Sequence, residues 1–136
     1  MISRSNPTGV AAPIGKYHHI TTVPACTDIV FISGQVGNHL DRRPVDPSAE
    51  AQARQAFANL GTILDEIGAV PADIVKLVTF AVGTDSLAGF RVARDEVFAA
   101  WYPDGAVPAH SLAVVTALAA PELLLEIEAV VAVSRS

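Results

Sequence analysis

Apolar residues recur along the chain with two periods, and the alternation between them lays out the elements. Ala53, Phe57, Leu60, Leu64 and Ile67 follow one another at three- and four-residue spacing, with Gln52, Arg54, Gln55 and Asp65 off that stripe. This pattern predicts an amphipathic helix. Asp46 can cap it, Pro47 suits its first position, Glu50 favours the positive end of its dipole, and Gly68 is a natural stop. A second helix is predicted from about Ser86 to Tyr102, capped by Asp85 or Thr84, with Phe90, Ala93, Val97 and Trp101 as its stripe and Phe98 alongside. Between the two, Ile74 to Val82 is short and rich in β-branched residues, which predicts a strand.

Tyr17 to Val23 and Ile29 to Ser33 read as short strands joined by a hairpin turn, Pro24-Ala25-Cys26-Thr27-Asp28. Residues 1–16, with Pro7, Pro13 and two glycines, read as an irregular arm, and Asn38 to Val45 as a polar loop. His110 to Leu118 and Leu123 to Val133 complete the order ββαβαββ as two long strands. No repeat or linker-like shift divides the sequence, so residues 1–136 form one domain. The expected class is α+β, with two helices packed on one face of a mixed sheet. Ser111 to Leu118 and Leu123 to Val133 are apolar at nearly every position, as in strands buried on both faces. Two helices cover only one face. At about 25 cal/mol per Å² the other face would carry several kcal/mol of exposed apolar surface. A homo-oligomer is therefore expected.

Composition points the same way. Hydrophobic residues make up 51% of the 136 and charged residues only 17%, below the roughly 25% of an average soluble domain. The excess of apolar side chains needs a partner. No apolar run approaches the ~18 residues that span a bilayer, and the first residues lack the apolar stretch of a secretory signal. The single cysteine, Cys26, cannot form an internal disulfide, so a cytoplasmic location is expected. The net charge of −5 argues against nucleic acid as a partner. Arg42-Arg43, beside Asp41 and Asp46, reads as a solvated loop.

Several segments together resemble the RidA (YjgF) family of reactive-intermediate deaminases. Ala12-Pro13-Ile14-Gly15-Lys16-Tyr17 is similar to the family's A-P-x-x-G-P-Y arm, and Phe31-Ile32-Ser33-Gly34-Gln35-Val36 to its strand ending in S-G-Q. Ala51 to Gln55 with Asn59-Leu60 resemble its first helix, and Gly68 with Asp73 to Lys76 the approach to its third strand. Pro108-Ala109-His110-Ser111 lies where the family has P-A-R-S, and Glu126-Ile127-Glu128-Ala129 resembles its last strand. The resemblance runs from Asn6 to Val133. It implies a chorismate-mutase-like fold assembled as a homotrimer around a central barrel, with no cofactor. It also implies inter-subunit clefts that hydrolyse enamines and imines such as 2-aminoacrylate to keto acids and ammonia. By that resemblance Glu126 positions the attacking water, residue 110 holds the substrate carboxylate, and Tyr17, Ser33 and Gly34 line the cleft.

The sequence departs from the family pattern at three positions. Lys16 stands where proline is usual, Asp95 where asparagine is frequent, and His110 where the family has arginine. Arginine offers a charged planar fork to a carboxylate, whereas histidine offers one donor and is largely neutral near pH 7. The exchange would cost about 2–4 kcal/mol of carboxylate binding. Period-2 alternation puts Tyr17 and His19 on one strand face and His18 on the other. By the geometry that the resemblance implies, His19, His110 and Glu126 approach one cleft as a general acid/base set. The less favoured alternative is a His/His/Glu metal set, which no helical H-E-x-x-H spacing supports. Each histidine also has a purely structural reading, as a half-buried hydrogen-bonding residue. Glu126 and Glu128 share one face of an apolar strand and need solvent or partners. Three functions remain open: an enzyme acting on a C=N bond of a small metabolite, a ligand-binding or regulatory trimer without the chemistry, and a chaperone-like or ribonuclease role.

Overall fold

The computed structural model describes residues 1–135 as one sheet with two helices on one face, plus a small ribbon. The strands are β1 (Ser3–Ser5), β2 (Ile20–Thr22), β3 (Thr27–Val36), β4 (Ile74–Val82), β5 (Ala109–Val115) and β6 (Leu125–Ser134). The helices are α1 (Ala49–Glu66) and α2 (Ser86–Trp101). The main sheet has the order β3-β6-β4-β5. β6 is antiparallel to both neighbours and β4 is parallel to β5, so the sheet is mixed as expected.

The helical stripes pack where their spacing puts them. Ala53, Phe57, Leu60 and Leu64 of α1 and Phe90, Ala93 and Phe98 of α2 are buried against Leu77, Leu125, Ile127 and Val131 of the sheet. Phe57 joins the helices, with its ring centroid 6.2 Å from Phe90, 6.1 Å from Phe98 and 5.8 Å from Trp101. Gly89 lets the helices close up, since a Cβ there would stand 2.7 Å from the Glu50 backbone nitrogen. Gln52 is fully buried, yet its amide donates to Glu122 O at 2.9 Å and accepts from Leu124 N at 2.7 Å. It thereby fixes the loop that leads into β6.

Five local expectations are corrected. The cap of α1 is Ser48, whose hydroxyl accepts from Ala51 N at 3.1 Å; Asp46 accepts from Ser48 N instead, and Pro47 stays outside the helix. Asp85 precedes α2 in a helical conformation and makes no side-chain cap. The strand over Tyr17–Val23 shortens to β2 because residue 18 donates its backbone N–H to Pro108 O and residue 19 to the Asn6 side chain. β2 does not form a hairpin with β3: it pairs with β1, inside the supposedly irregular arm, and β3 pairs with β6. The fifth strand ends at Val115, and as an edge strand it exposes Ser111, Leu112, Ala113 and Val114. It is not buried on both faces within one chain.

The face of the sheet away from the helices is open. Along β6, Leu125, Ile127 and Ala129 lie under the helices, while Glu126, Glu128 and Val130 alternate onto the open side. Phe31 of β3 is 78% exposed and Ile29 is 45% exposed. Among the described residues no helix is long and apolar enough to cross a membrane.

Candidate functional site

A cleft of about 810 Å³ lies between α2, the edge strand β5 and the arm around residues 14–19. His110 is at its floor. The register of the parallel pair sets His110 beside Leu77 and places its side chain under α2, where Nε2 is 2.8 Å from the hydroxyl of the fully buried Thr79. Phe90 meets the imidazole edge-on at 6.1 Å, and Phe98 lies at 6.3 Å. Burial in this apolar corner, with Arg94 and Lys76 adding positive charge nearby, pushes the His110 pKa down to about 4. The ring is neutral at pH 7 and presents one donor and one acceptor.

Tyr17 and His19 line the same cleft, their rings 5.6 Å apart in an edge-on pair. Both are held locally. The Tyr17 hydroxyl accepts from Ile14 N at 3.3 Å, and His19 Nε2–H donates to Ala11 O at 2.8 Å. His18 lines the cleft too, contrary to the alternation expected of a strand, because residues 17–19 precede β2; its Nδ1–H donates to Val107 O at 2.7 Å.

Glu126, Ser33 and Gly34 form a second group elsewhere. β3 changes register between Ile32 and Gln35, and at this bulge a Cβ on Gly34 would fall on the Glu126 carboxylate. Glycine is what allows the carboxylate to lie against the backbone. Ser33 lines a smaller hollow of about 340 Å³ with Phe31, Val78 and Glu128. This group is on the open face and His110 on the helix face, so one chain does not bring Glu126 together with His110 and His19. Among the described residues no three His, Cys, Asp or Glu side chains are grouped to hold a metal ion.

The polar rim carries residues that the sequence did not single out for the site. Lys76, Arg91 and Arg94 join Lys16 around the cleft. Asp95, where asparagine was the expected residue, turns toward this rim and takes Lys16 Nζ at 3.2 Å and Arg94 Nη2 at 2.9 Å. Burial would raise its pKa, but the hydrogen bonds from Arg94 and Lys16 outweigh that and hold the carboxyl below its ordinary range. Lys76 Nζ donates to Ser111 Oγ at 2.9 Å across the edge strand. The neighbourhood is therefore cationic although the chain as a whole is acidic. Arg91 and Arg94 lie one helical turn apart, a spacing visible in the sequence, but their place beside β5 is set by how α2 crosses the sheet.

Comparison with known proteins agrees with this architecture. The family model described as Endoribonuclease L-PSP matches residues 8–133. The chain is 30% identical over 94 residues to the RutC family protein YjgH of Escherichia coli, covering 65% of this chain and 71% of that protein. It superimposes with a TM-score of 0.80 on a Yersinia pestis protein of the Rid family, YyfB, at 32% identity and with 96% and 97% of the two chains covered. Yeast Mmf1 gives a TM-score of 0.68 at 26% identity, covering 99% of this chain and all of that one.

Proposed function

The chain belongs to the RidA (YjgF) family, and on that premise we propose that it is a cytoplasmic homotrimer acting on a small metabolite in clefts between subunits. The reaction is hydrolysis of an enamine, imine or related C=N compound, with a specificity altered by His110. The carrying observation is the division of the candidate residues between two faces of one sheet. Tyr17, His19 and His110 open on the edge-strand side, whereas Glu126 against Gly34 opens on the uncovered face. A second copy packed on that uncovered face would cover Phe31 and bring one subunit's Glu126 side toward its neighbour's cleft.

In this reading Glu126 accepts a proton from water as the water oxygen bonds to the carbon of the protonated imine, whose π pair moves to nitrogen and gives a carbinolamine. Glu126 then returns the proton to nitrogen, the C–N bond breaks to release ammonia, and the carbinolamine hydroxyl gives up its proton as the carbonyl forms. Neutral His110 hydrogen-bonds the substrate and contributes no charge. The test is the decay of freshly generated 2-aminoacrylate and of larger imino acids, with ammonia release, in the parent protein and in Glu126→Gln. Turnover lost in Glu126→Gln supports the enzyme; equal activity of that variant on every substrate rejects it.

The neutral ring at position 110 specifically favours a second reading, a ligand-binding or regulatory trimer without turnover. Silence of the parent together with activity in His110→Arg would select it. A nuclease role is disfavoured by the net charge of −5.

A further inference from the structure

The cleft beside His110 is graded along its length, and the grading follows from chain direction. β4 and β5 are parallel and α2 connects them, so α2 runs antiparallel to both. The later turns of α2 thus lie beside the start of β5, where Phe98 meets His110, and its first turn lies toward Val114. Leu87 and Arg94 share one helix face two turns apart, about 10 Å by helical rise. His110, Leu112 and Val114 alternate onto the facing side of β5 over about 13 Å. One end of the cleft is therefore built from Lys16, Tyr17, Lys76, Arg94 and His110, and the other from Leu87, Leu112 and Val114.

Within the charged end Arg94 stands apart. Its side chain is only 14% exposed and its guanidinium lies 5.8 Å from the centroid of the Phe90 ring that floors the cleft. Nε and Nη2 both donate to one oxygen of Asp95, and Nη1 has no partner among the described residues. Asp95 is shared with Lys16, so the pair of cations is not fully neutralised, and Lys76 and Arg91 add to the excess. Lys16 and Arg91 are more exposed, and Lys76 is engaged by Ser111.

From this arrangement we infer that Arg94, and not residue 110, is the anion-holding residue of the cleft. The ligand it selects is a small carboxylate bearing an apolar group. Its anionic end lies at Arg94 and its apolar end against Leu87, Leu112 and Val114. The inference rests on the cleft being the ligand site and adds to that reading the class of ligand and the residue that anchors it. A carboxylate accepts charge-assisted hydrogen bonds from a guanidinium in a low-dielectric corner, which a neutral imidazole cannot replace.

The experiment is calorimetric titration of the full chain with phenylacetate, its neutral isostere phenylacetamide, and acetate, with backbone amide shifts recorded in parallel. Phenylacetate is expected to bind at least about tenfold more tightly than either comparator. Arg94→Gln is expected to weaken phenylacetate by about 10- to 100-fold and to leave phenylacetamide unchanged. Arg94→Lys restores part of the loss, and His110→Gln keeps the preference for the anion. Equal affinity for phenylacetate and phenylacetamide in the unaltered chain overturns the inference, whether or not Arg94→Gln folds, and so does absence of phenylacetate binding at millimolar concentration. The shifts separate two failures. Perturbation at Tyr17, His110 and Leu112 without anion preference keeps the cleft and removes Arg94 from the role; perturbation confined to other surfaces removes the cleft itself.

Discussion

Lys16 Nζ lies 3.2 Å from Asp95 Oδ1, so two departures from the family pattern that are 79 positions apart in sequence form one ion pair. The third departure, His110, lines the same cleft as Lys16. The three changes are neighbours in space. Both partners of the pair are about half exposed, and exposed pairs contribute about 0–1 kcal/mol. Lys16→Met should therefore leave the denaturation midpoint nearly unchanged while speeding hydrogen exchange at residues 11–17, the stretch that the pair ties to α2. Unchanged exchange would mean that the arm is held by its other bonds.

The His110 pKa of about 4 makes stability depend on pH in a defined window. The unfolded chain takes up the imidazole proton near pH 6.5 and the folded chain only near 4, so between those values the unfolded state binds more protons. Stability contributed by neutral His110 is complete above about pH 6.5 and is lost as the pH falls toward 4, by up to about 3 kcal/mol. Urea titrations from pH 7 to 4 should show this loss and His110→Gln should lack it. Imidazole NMR shifts that titrate near 6.5 in the folded protein would refute it.

Gly34→Ala should disturb Glu126 directly, since the new methyl group would occupy the carboxylate's position. A cost of about 1–3 kcal/mol is expected from the forced displacement. Turnover should fall with it if Glu126 directs the water. A fully active, equally stable variant would show that the bulge opens freely.

Gln52→Ala removes a side chain whose two bonds hold the loop before β6. The fully buried site would retain an unsatisfied carbonyl and N–H and a cavity, at a cost of about 2–4 kcal/mol. Chemical denaturation measures it.

Phe31→Glu places a charge on the uncovered face without touching the helical core. Sedimentation should show the parent as a trimer and the variant shifted toward monomer. A monomeric parent would refute the assembly.

The sequence made both helices legible because the apolar residues of their stripes recur at helical spacing and are buried in the core or packed against it. Strand pairing was less legible. Nothing in the polar triplet Ser3–Ser5 marks it as the partner of Ile20–Thr22, and the turn before β3 resembles that of a hairpin. The cap shifted from Asp46 to Ser48 because both residues can accept a backbone N–H, and only the path of the loop decides between them. Tyr17, His19 and His110 line one cleft, and His18 joins them because the alternation that would put it on the other side begins only at Ile20. The separation of Glu126 from His110 depends on which side of each strand meets the helices. Arg91 and Arg94 lie off the apolar stripe of the second helix, and Thr79 read as one more β-branched strand residue. Their shared neighbourhood arises from the crossover of α2 above β5.

Phe90 is fully buried, stacked on Phe57 in the first helix and edge-on to His110 in the cleft. One ring thus serves as helix fastener and as pocket floor. A lineage that altered this ring to admit a new ligand would loosen its own helix pair in the same step. Arg91, Leu112 and Val114, exposed around the rim, carry no such double duty. Diversification of ligand preference among descendants of this chain should therefore be written in the rim, with the floor left as inherited.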